Sequence, residues 1–105
     1  MTPLLVLTTV GAGYDAAPLA RALVEAHLAA CVNILPGVES IYWWENRVTQ
    51  DSEQLLVIKT TDERLEELRR ALLERHPYEL PELVVIEPSQ VDERYAAWIA
   101  RSVSS

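Results

Sequence analysis

The chain has 105 residues and a mass of 11.8 kDa, the size of one ordinary domain and too short for two independent cores. Nine Lys and Arg against sixteen Asp and Glu leave a net charge of −7 and a pI near 4.7. That balance argues against binding to nucleic-acid backbones or anionic membrane surfaces, since both need clustered cations.

Half of the residues are hydrophobic and 24% are charged, so the chain can bury a core and is not disordered. No apolar run approaches the roughly 18 residues of a membrane span. The apolar stretch at residues 4–7 is too short for a signal-peptide core and has no basic region before it. One cysteine, Cys31, rules out an internal disulfide and a zinc site built on several thiolates. A single domain over residues 1–105 in a reducing cytoplasm is therefore expected, with no nucleic-acid or membrane partner.

In chain order, residues 4–10 form a β-rich apolar run ended by Gly11-Ala-Gly13, which reads as a buried strand and a turn. Asp15 is placed to cap a helix running to about Leu28. Its Leu19, Ala22, Leu23 and Ala26 share one face, and Pro18 sits harmlessly in its first turn. Residues 31–35 and 38–44 then read as one long strand, interrupted by Pro36-Gly37 at a bend or bulge. Glu45-Asn46-Arg47 is a hairpin turn, and the chain returns as a third strand to Thr60. The polar Gln50-Asp-Ser-Glu53 stretch of that return is expected to project beyond the core.

Thr60 and Glu63 have capping-box spacing and open a second helix, with Leu65, Leu68, Leu72 and Leu73 inward and Glu66 and Arg70 supporting each other outside. The helix must stop before Pro77. His76-Pro-Tyr-Glu-Leu-Pro81 is a rigid connector, because each proline fixes its own φ and extends its predecessor. Residues 83–86 make a fourth strand. Asp92 caps a last helix with Tyr95, Trp98 and Ile99 inward.

This order, βαββαβ plus a C-terminal helix, predicts an α+β, ferredoxin-like fold with an antiparallel sheet and both main helices on one face. Strands two and three are roughly 13 residues long, against a usual 5–6. Their far end carries Ile41, Tyr42, Trp43 and Trp44. An exposed aromatic ribbon of that kind needs either a second subunit or the C-terminal helix to cover it, and a self-associated oligomer is the expectation.

Chemistry-bearing residues are few. No metal-binding, nucleophile-base or phosphate-loop motif is present, which argues against an enzyme. Cys31 in an apolar strand start reads as a small buried hydrophobe, and His27 as a residue facing a helix C-terminus. His76 stands beside Tyr78, Glu79 and Glu82, where rigid backbone presents an imidazole and carboxylates together. Lys59 is the only lysine, at the end of strand three, placed to hold an anion or to pair with Glu82.

Five stretches in order carry a resemblance: Leu28-Ala-Ala-Cys-Val-Asn-Ile-Leu-Pro-Gly37, Ser40-Ile-Tyr-Trp-Trp-Glu45, Val57-Ile-Lys-Thr-Thr61, His76-Pro-Tyr-Glu-Leu-Pro-Glu82 and Tyr95-Ala-Ala-Trp-Ile99. Together they resemble the CutA-type divalent-cation tolerance proteins across nearly the whole chain. The resemblance implies a ferredoxin-like subunit that trimerises through its long hairpins. It also implies a non-enzymatic role in tolerance of divalent metals, copper above all, with no cofactor required beyond copper or another divalent cation. Ligands proposed for some bacterial members fall here on Thr8 and Arg75, which leaves His76 of that set, with Cys31 as a thiol elsewhere. The family's architectural kinship to PII trimers implies an alternative: a signalling module taking a small anionic ligand in inter-subunit clefts lined by Lys59, Tyr42, Trp44, Tyr78, Glu79 and Glu82.

Overall fold

A computed structural model describes residues 1–104. The elements are β1 (Pro3–Gly11), α1 (Ala17–Glu25), β2 (Cys31–Trp44), β3 (Arg47–Thr61), α2 (Leu65–Arg75), β4 (Val84–Ile86) and α3 (Glu93–Val103). The four strands form one antiparallel sheet in the order β2-β3-β1-β4.

Strand alternation sorts the sheet into two faces. Leu4, Val6, Thr8 and Val10 of β1 are all buried, and the next strand adds Leu56, Ile58 and Thr60 on the same side. Leu19 and Leu23 of α1 and Leu68 and Leu72 of α2 pack onto that face and complete the main core. α3 packs against β3 and β1, and its Ile99 and Val103 close a smaller cluster with Ala30.

Helix ends depart from the sequence reading where the core demands it. α1 stops at Glu25, not Leu28, because His27 turns left-handed (φ 59°) and the Leu28 amide bonds back to the Leu23 carbonyl at 3.0 Å. This C-terminal turn drives Leu28 and Ala29 into the core. Asp15 does not cap α1: Ala16 occupies that position with no side-chain bond.

The capping box does not form either. Thr60 is drawn into the ladder opposite Leu4, where its hydroxyl donates to the Leu28 carbonyl at 2.7 Å, and the N-terminal cap position of α2 is Arg64, four residues beyond the expected cap. Leu73 is exposed on α2, and Glu66 pairs with Arg69 at 3.6 Å instead of Arg70. Asp92 does cap α3, accepting from the Arg94 and Tyr95 amides.

Tyr95 and Trp98 face outward, half-exposed and stacked on each other 5.4 Å apart; only Ile99 and Val103 of this helix are buried. α3 thus lies by the Lys59 end of the sheet and leaves the hairpin tip uncovered.

The hairpin is as long as expected, with a register shift between Leu35 and Val38 at Pro36-Gly37. It closes through Glu45 and Asn46, both at positive φ (48° and 63°), a combination suited to a tight two-residue hairpin turn. Its tip is bare: Trp43 is 74% exposed, Ile41 66% and Val48 64%.

Candidate functional site

The connector between α2 and β4 is anchored by His76. This buried residue is the C-terminal cap of α2 and leaves the helix in extended geometry, as the following proline requires. Its Nδ1 accepts the Tyr78 amide at 3.0 Å, which fixes the proton on Nε2. Nε2 then faces the Thr9 carbonyl at 2.9 Å and the Thr8 hydroxyl at 3.1 Å. Burial lowers the pKa of His76 below its usual value, only partly opposed by the Thr9 carbonyl and the nearby Glu53.

Tyr78 sits edge-on to the imidazole, with ring centroids 5.0 Å apart. It reaches over β1, with its hydroxyl near Gly11. The phenol donates to Glu53 Oε2 at 2.6 Å. Glu53 is only 7% exposed, so the polar stretch expected to project beyond the core supplies a buried carboxylate instead. Burial first, then the bond to Glu53, raises the pKa of Tyr78 strongly. A second phenol–carboxylate pair stands on the hairpin, where Tyr42 donates to Asp51 and that bond raises its pKa.

Between the connector and the curled hairpin lies a cleft of about 890 Å³. Tyr42, Trp44, Tyr78, Glu79 and Glu82, all candidates from sequence, line it. In this chain its walls are the connector and the hairpin. Asp51 and Glu53 also line it and were missed; their only signal in the sequence was a polar stretch that reads as solvated.

Lys59 is not part of this cleft. Its β1 partner is Leu5, four rungs along the sheet from Thr9, or about 13 Å at the usual strand rise. There its ammonium bonds the Tyr95 hydroxyl at 3.2 Å and lies over that ring, so the expected pairing with Glu82 is replaced by one with α3. The cleft lining contains no Lys, Arg or His, which suits it poorly to the anionic ligand of the alternative reading.

Cys31 sits on the Lys59 rung, far from His76, and is half-buried at the strand start instead of enclosed in the core. Both nitrogens of His76 are engaged, so a metal would have to displace one of its bonds. Among the described residues no group of three or more His, Cys, Asp and Glu is placed to hold a metal ion. His27 donates through Nδ1 to the Ser102 carbonyl at 3.0 Å, tying α1 to α3.

Fold and cleft together define a small α+β protein, with one antiparallel sheet and an open acidic and aromatic groove between its hairpin and a proline-locked connector. The chain belongs to the family described as CutA1 divalent ion tolerance protein, whose model matches residues 4–102. It is 43% identical over 94 residues to the divalent-cation tolerance protein CutA of Thermus thermophilus, covering 90% of this chain and 91% of that one. It is likewise 43% identical to the chloroplastic protein CutA of Arabidopsis thaliana, covering 80% of this chain and 46% of the plant protein. The solved structure of CutA from Synechococcus elongatus superposes with a TM-score of 0.92 at 42% identity, covering 98% of this chain and 91% of that one. The family's names describe tolerance proteins and not enzymes.

Proposed function

We propose that this protein is a non-enzymatic, cytoplasmic homotrimer that serves tolerance of divalent metal ions, copper among them, with a ferredoxin-like subunit. The observation that carries the metal role is the family match over residues 4–102. The strand order β2-β3-β1-β4 supports the ferredoxin-like subunit.

The bare hairpin supports the assembly. Ile41, Trp43 and Val48 at its tip form an exposed apolar surface, and Val84, Val85 and Ile86 of the short strand at the opposite edge of the sheet are exposed as well. A soluble monomer seldom leaves such area open. Metal contact is weak, since neither Cys31 nor the fully bonded His76 has companion ligands in place. First-row metals need more nitrogen or sulfur donors for tight binding, so copper affinity no better than about micromolar is expected.

Sedimentation equilibrium tests the assembly: about three times the 11.8 kDa chain mass is expected, and a dissociated Trp43→Glu variant. Growth of a deletion strain in graded copper, with and without the wild-type chain, tests the role. A monomeric wild type refutes the assembly, and unchanged metal tolerance refutes the role.

A further inference from the structure

We draw no further inference here: the strongest candidate, the long outer edge of β2 at one end of the sheet, belongs to the hairpin-mediated homotrimer already proposed.

Discussion

Replacing His76 with alanine probes the anchor on which the connector depends. Three polar contacts vanish together: Nε2 with the Thr9 carbonyl and the Thr8 hydroxyl, and Nδ1 with the Tyr78 amide. β4 pairs with β1 only from Leu5 to Leu7, so no strand partner takes over at Thr9. Thr8 is fully buried, and its hydroxyl is left without its imidazole. Tyr78 is partly exposed, so its amide recovers water at lower cost. An abandoned buried polar group costs about 1–3 kcal/mol, and the sum here comes to about 2–4 kcal/mol of stability.

The pH dependence supplies a second signature. The native pKa of His76 lies below its ordinary 6.5, so below that pH the unfolded chain binds more protons than the native one. Its contribution is fully present above pH 6.5 and is lost as pH falls through the depressed native value. Protonating Nδ1 sets two donors, the ring N–H and the Tyr78 amide, against each other; among the facing groups, the Thr9 carbonyl and Glu53 favour the charged ring but do not outweigh burial. Urea unfolding at fixed protein concentration, followed from neutral to mildly acidic pH, measures both effects. The reasoning is refuted if His76→Ala loses less than about 0.5 kcal/mol, within the range of an ordinary surface change. It is equally refuted if the variant keeps the wild-type slope below pH 6.5.

Two further outcomes are expected. Tyr78→Phe strips the Glu53 carboxylate of its one hydrogen bond among the described residues and should destabilise by about 1–3 kcal/mol in denaturant unfolding; a neutral result would mean that water already solvates that carboxylate. Glu45→Gly relieves a left-handed non-glycine residue in the two-residue turn and should raise stability by up to about 1 kcal/mol, read as a higher urea midpoint; a lower midpoint would show that the Glu45 side chain stabilises the turn.

Much of the site was legible one residue at a time. Tyr42, Trp44, Tyr78, Glu79 and Glu82 stood out because aromatic and acidic residues beside prolines or a hairpin turn are unusual locally. Their meeting in one cleft follows from the length of the hairpin and the rigidity of the connector, both readable in the chain. Lys59 was placed at the right strand end but given the wrong partner, because local pattern does not say which helix covers which end of a sheet.

The sequence by itself determined the elements, their order, the bulge at Pro36-Gly37 and the central core positions Leu19 and Leu23 of α1 and Leu68 and Leu72 of α2, because periodicity and backbone restriction act over a few residues; the expected Ala26 and Leu73 are exposed instead. Only the tertiary structure decided where the helices stop. The left-handed turn at His27 and the capture of Thr60 by the sheet are set by what the core must bury, not by capping chemistry. Only it decided the fate of Glu53, whose neighbours in the chain are as polar as itself. A phenol 25 residues away, lowered over Gly11 by a histidine bonded to the edge of β1, turns that carboxylate from a solvated surface charge into a buried one. Burial of that kind arises from contacts between distant segments, which no local pattern encodes.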